Sequence, residues 1–168
     1  MYNAVGIDVS KGKSTVTVLQ PGGTVIRKPF DVSHTSQNLN ELADYLGSLE
    51  GPSKIVMECT GRYYEPVARQ LSQAGFFVCA VNPQIIHGFQ GQDNPLRRVK
   101  TDKADSIKIA RYTLDNWANL KQYTLMDELR TQLKTMNRQF DFYMKHKTAM
   151  KNNLIGLIDL AYPGANTY

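Results

Sequence analysis

The chain has 168 residues, a hydrophobic fraction of 42% and a net charge of +5, which bounds it to one globular domain with a modest extension. No apolar run nears the ~20 residues needed to span a bilayer. The first ten residues carry Asp8 with no basic residue before it, so neither a membrane span nor a secretory signal is expected and the protein is read as cytoplasmic.

In chain order, residues 2–9 form a short apolar run of strand type. Residues 14–20 alternate Val16 and Val18 with Thr15 and Thr17, Pro21-Gly22-Gly23 marks a turn, and residues 24–32 read as a third strand. These three form an antiparallel meander. A helix follows, with Ser36 as the expected N-cap and Leu39, Leu42, Ala43, Leu46 and Leu49 at helical spacing, stopped by Gly51-Pro52. Residues 54–59 are a strand, and residues 64–74 a second helix ended by Gly75 in the left-handed C-cap position. Residues 76–81 are a fifth strand, closed by Asn82-Pro83. The order β-β-β-α-β-α-β implies a mixed sheet with helices covering its faces. Its parallel strands bring their C-terminal ends to one rim, where sites form.

Residues 84–101 carry Gly88, Gly91 and Pro95 and break any period; a stretch of this length is functional or disordered. Residues 102–117 read as a helix. Beyond it, Leu129, Leu133, Met136, Phe140, Tyr143, Lys147, Met150, Leu154 and Leu157 alternate spacings of four and three. That is a heptad seam, which needs a partner within the chain or from a second subunit. Pro163-Gly164 ends it. The domain boundary is placed between residues 118 and 119, with 1–118 the globular part and 119–168 a helical dimerisation and linker segment.

Cys59 and Cys79 each lie in an apolar, strand-like run and read as buried free thiols. The three histidines are scattered without zinc spacing. Charge is unevenly spread: 13 of the 20 Lys and Arg fall in residues 97–151, against six Asp and Glu. A basic half fits a polyanionic partner, or a solvated helix surface.

Four acids occupy places where acids are structurally odd. Asp8 interrupts the apolar strand Val5-Gly6-Ile7-Asp8-Val9, sharing a face with Gly6. Glu58 ends the apolar run Ile55-Val56-Met57. A carboxylate there must be paired, metal-bound or at a strand end facing water. Asp102 and Asp105 lie three apart at a helix start and share one face. Taken singly, each has a structural reading, a strand-end ion pair or a complement to the helix dipole. Converging on one rim, four carboxylates would repel unless a cation sits between them, and oxygen-only ligands select Mg²⁺ or Mn²⁺. Arg97, Arg98, Lys100 and Lys103 beside them would offset a nucleic-acid backbone.

Gly6-Ile7-Asp8-Val9-Ser10-Lys11, Met57-Glu58-Cys59-Thr60-Gly61-Arg62-Tyr63-Tyr64, Val81-Asn82-Pro83 and Lys100-Thr101-Asp102-Lys103-Ala104-Asp105 follow in this order. Together they closely resemble the DEDD transposases of the IS one-ten insertion-sequence family, which includes the Piv invertase type. The resemblance runs from the first strand to about Pro163-Gly164. It implies an α/β, RNase H-like (RuvC-like) mixed sheet with flanking helices, followed by a long C-terminal coiled-coil-like helix that mediates homodimerisation or a higher oligomer. It implies a DEDD tetrad of Asp8, Glu58, Asp102 and Asp105, both catalytic and Mg²⁺-binding (or Mn²⁺-binding). Lys11 and Arg62, inside the matched motifs, join Arg97, Arg98, Lys100 and Lys103 as nucleic-acid contacts. The implied partners are DNA and a structured guide RNA, with no membrane, in a prokaryotic cytoplasm and on the nucleoid when active. In the family a separate C-terminal domain supplies a serine nucleophile. None of the serines here stands in that context, so the nucleophile is expected outside this chain, which alone would be incomplete for recombination.

Three other readings compete. A RuvC-like junction resolvase or nuclease would use the same four acids to activate water. A sugar-kinase-like phosphotransferase would need a second, glycine-rich phosphate loop that the sequence lacks. A non-catalytic nucleic-acid-binding dimerisation module would need only the seam and the basic segment.

Overall fold

β1 (Asn3–Val9) is the central strand of the computed structural model, which describes residues 1–59, 61–89, 101–124 and 128–164. Val5 and Ile7 point to one side of the sheet and Ala4 and Gly6 to the other, as strand alternation requires. β1 pairs antiparallel with β2 (Lys13–Gln20), and β2 antiparallel with β3 (Thr24–Ser33). On its other flank β1 pairs parallel with β4 (Ser53–Glu58), and β4 parallel with β5 (Phe77–Val81). The strand order is β3-β2-β1-β4-β5. A meander extended past its first strand by two parallel strands, each reached through a helix, is the RNase H-like arrangement.

α1 (Ser36–Gly47) and α2 (Tyr64–Gln73) cover one face. Leu39, Leu42 and Leu46 of α1 and Val67, Ala68 and Leu71 of α2 close over Val5, Ile7, Val16, Val18, Ile55 and Met57. α3 (Pro83–Gly88) and α4 (Asp102–Asp115) serve the opposite face, where Ile86 and Ile109 meet Val56, Cys79 and Val81. Beyond α4 the chain returns to the sheet edge, where the Tyr123 N–H donates to the Val78 carbonyl at 2.6 Å.

Several element ends differ from the sequence reading for local reasons. The N-cap of α1 is Thr35, not Ser36: Thr35 Oγ1 accepts from the Asn38 N–H at 3.2 Å. α1 stops at Gly47, short of Gly51-Pro52, with Ser48 as its C-cap: the Ser48 N–H still donates to the Asp44 carbonyl and its hydroxyl donates to the Tyr45 carbonyl. Residues 83–88, the start of the stretch read as aperiodic, are helical. Asn82 caps the Gln84 N–H at 2.9 Å and Pro83 occupies the first turn. α4 ends at Asp115 rather than at Trp117.

The chain divides into two compact units, Met1–Leu125 and Met126–Tyr168. The second is dominated by α5 (Glu128–Ala161), a single helix of 34 residues, about 50 Å long at 1.5 Å per residue. No helix among the described residues is long and apolar enough to cross a membrane.

Candidate functional site

The carboxyl ends of β1 and β4 lie side by side. Ile7 pairs with Met57, so the next residues, Asp8 and Glu58, end neighbouring parallel strands. Alternation puts both on the face that carries α4: Gly6 lies under that helix, and Val56 is in the core that Ile109 joins. Both carboxylates are half-buried. They stand where open α/β sheets place ligands, outside the carboxyl ends of parallel strands.

α4 is seated on this face with unusual closeness. A Cβ on Gly6 would fall inside the backbone of Ser106 and Ala110, so only glycine allows the helix to lie there. Thr17 Oγ1 and Ser106 Oγ, both buried, share a hydrogen bond of 2.8 Å that ties β2 to the helix. The first turn is capped by Thr101, whose Oγ1 accepts from the Ala104 N–H at 3.2 Å. At the far end Lys54 Nζ donates to the Trp117 carbonyl at 2.7 Å and lies 4.5 Å and 4.8 Å from the ring centroids of Phe77 and Trp117. α4 is thus tied to the sheet at Ser106 and, just past its C-terminal end, at Trp117.

The structure joins the four acids in part. Asp8 and Glu58 are neighbours. Asp105 is half-buried on α4, and Asp102 is 53% exposed and directed toward β2, with its Oδ2 3.9 Å from Lys13 Nζ. Among the described residues no three His, Cys, Asp or Glu side chains are gathered as a metal-binding group. In chemistry the set fits a hard divalent cation, since every donor is a carboxylate oxygen. Asp8, Glu58, Asp102 and Asp105 are the residues that would hold it.

Three residues beside the tetrad, Lys13, Thr15 and Asp31, escaped the sequence reading of the site. Asp31 on β3 pairs across from Thr15, which pairs across from Asp8. Asp31 accepts from Thr15 Oγ1 at 2.8 Å and from Lys13 Nζ at 3.2 Å. The Thr15 hydrogen bond, then that of Lys13, hold its carboxyl below the usual carboxylate range. Alternation along β2 already put Lys13, Thr15 and Thr17 on one face, but only the strand register brings that face beside Asp8.

Of the candidate nucleic-acid contacts, Lys11, Arg62 and Lys103 are exposed. Arg97, Arg98 and Lys100 lie outside the described residues. Burial pushes the Cys79 thiol up and leaves it a core group rather than a nucleophile.

The family model for DEDD transposases of the IS one-ten (IS110) type, described as a transposase, matches residues 5–163. Among solved structures, the chain is similar to Thermus thermophilus RuvC in complex with a Holliday junction substrate. The two share 12% identity over 73% of this chain and 100% of that chain, with a TM-score of 0.45. A second Thermus thermophilus RuvC structure shares 14% identity over 71% and 98%, with a TM-score of 0.40. No curated protein matches the chain.

Proposed function

The chain belongs to the DEDD transposase family of the IS one-ten (IS110) type, and from that premise we propose that Met1–Leu125 is its divalent-metal-dependent strand-cleaving unit, acting on DNA selected by a structured guide RNA. The observation that carries the reading is the coincidence of the family's acids with one rim: Asp8 and Glu58 end adjacent parallel strands on the face where Gly6 admits α4, whose first turn bears Asp102 and Asp105. In this reading those four side chains hold Mg²⁺ or Mn²⁺. Bound there, the metal supplies Lewis-acid stabilisation of the attacking and leaving oxygens of a phosphodiester.

The protein's own contribution is placement. β1 and β4 supply two carboxylates on a rigid floor, and the first turn of α4 would supply the other two when the ion binds. Lys11, Arg62, Arg97, Arg98, Lys100 and Lys103 would hold the phosphate backbone, which makes binding weaken steeply with salt. The heptad seam of α5 is the surface through which two copies would pair.

The test is metal-linked stability. Ligand that binds only the folded state raises its melting temperature. The native chain is expected to melt higher in millimolar Mg²⁺ or Mn²⁺, and Asp8→Asn, which keeps the shape and removes one ligand charge, to lose that gain. A native chain whose melting temperature ignores both ions would overturn the assignment.

A further inference from the structure

We propose that Lys13 is the resident counter-cation of the acidic rim, parked by Asp31 and competing with the divalent ion for Asp102. The inference rests on the reading of Asp102 as a metal ligand and adds a residue that tunes how tightly the metal is held.

At the level of Asp8 the sheet presents a row on its α4 face: Asp31 on β3, Thr15 on β2, Asp8 on β1, with Glu58 on β4 one step beyond the last paired residues. Lys13, two residues from Thr15 on β2 and on the same face, reaches over this row. Its Nζ lies 3.2 Å from Asp31 Oδ2 and 3.9 Å from Asp102 Oδ2. It therefore links β3 to the first turn of α4 across the strand beside Asp8. Asp31 is itself fixed, since Thr15 Oγ1 donates to its other oxygen at 2.8 Å.

The two contacts of Lys13 differ in kind. The bond to Asp31 is at hydrogen-bonding distance, and the approach to Asp102 is a longer ionic contact. Lys13, Asp31 and Asp102 are each about half exposed, so neither pair locks the fold. A cation held firmly by Asp31 and loosely by Asp102 is displaceable from the ligand while staying near it. A divalent ion that takes Asp102 must then share it with Lys13 or repel the ammonium toward Asp31. Either way the lysine's charge opposes the ion at close range. Like charges a few ångströms apart in a largely aqueous medium repel enough to weaken binding roughly threefold to tenfold.

The experiment is isothermal titration of the full chain with Mn²⁺ alone. Lys13→Gln is expected to bind Mn²⁺ several-fold more tightly than the native protein, and Lys13→Arg, which keeps the charge, to stay near native affinity. Lys28→Gln makes the same change of net charge further along β3 and reports the long-range field, so it should shift affinity much less. In an Asp102→Asn background the gain from Lys13→Gln should shrink, because the share that comes from competition for Asp102 is lost and only the direct repulsion of the ion remains. Unchanged or weaker Mn²⁺ binding by Lys13→Gln, or an equal gain from Lys28→Gln, overturns the counter-cation role while leaving the metal site intact. A native chain that binds no Mn²⁺ overturns both. All three substituted lysines and acids are at the surface, and a melting curve taken beside each titration separates lost folding from altered affinity.

Discussion

His34 is a half-buried histidine just beyond β3, next to the cap of α1. Its Nε2 and the buried Ser14 Oγ share a hydrogen bond of 2.7 Å, and its backbone N–H donates to Gly12 at 3.0 Å. Desolvation by burial lowers its pKa from 6.5. The unfolded chain then binds the proton more readily than the folded one, so stability rises with pH in this window. The contribution is complete above the unfolded pKa and is lost as pH falls through the lower folded value. The melting temperature should therefore drop as pH falls below 6.5, and His34→Gln should flatten that drop. Parallel pH curves for the two proteins would remove His34 as the cause. Asp31 does not confuse the result, because its depressed pKa places its own loss at more acidic pH, below 3.8.

At the scale of elements, the contact between β1 and α4 decides whether the site can form. Gly6→Ala would push a methyl group into the backbone of Ser106 and Ala110, and backbone cannot rotate aside as a side chain can. Overpacking of this sort costs about 1–3 kcal/mol, and the helix must lift for the chain to fold at all. The expected result is a destabilised protein by urea unfolding whose Mn²⁺ binding is weakened out of proportion to its lost stability, because the first turn of α4 moves with the helix. A Gly6→Ala protein as stable as the native one would mean that α4 does not lie on β1 as described.

The same contact shows how far the fold was readable. Val16 and Val18 alternate with Thr15 and Thr17, residues 2–9, 54–59 and 76–81 are short apolar runs, and a turn at Pro21-Gly22-Gly23 opens residues 24–32, which sufficed to place five strands. Glycine inside an apolar strand signals close approach, but nothing local says that the approaching backbone is 100 residues away. Thr15 and Asp31 were invisible for the same reason: their pairing is a matter of register, which is non-local. α3 was missed because six residues opened by Asn82-Pro83 are too short for a helical period to emerge. The caps moved by one residue at α1 because Thr35 and Ser36 are chemically equivalent choices.

For the molecule as a whole, α5 poses the question of what covers its apolar side. Leu129, Leu133, Met136, Phe140, Tyr143, Met150, Leu154 and Leu157 are each more than half exposed in the single chain, and their alternating spacing of four and three keeps them on one stripe. An apolar stripe along a helix of 34 residues is more than monomeric soluble proteins leave to water. A second copy of the same helix would match it in length and period, and is the partner we propose. Sedimentation is expected to show a dimer or larger at micromolar concentration. Phe140→Asp puts a charge in the middle of the seam, and a buried unpaired carboxylate is costly, so this variant should sediment as a monomer with the sheet unit still folded. Lys147 also falls on the seam, where a single charged residue restricts register at a cost in stability. Lys147→Leu should therefore tighten the association and loosen its geometry, giving larger species alongside the dimer. Native and Phe140→Asp chains that sediment alike as monomers would show that the stripe is not covered by a second copy.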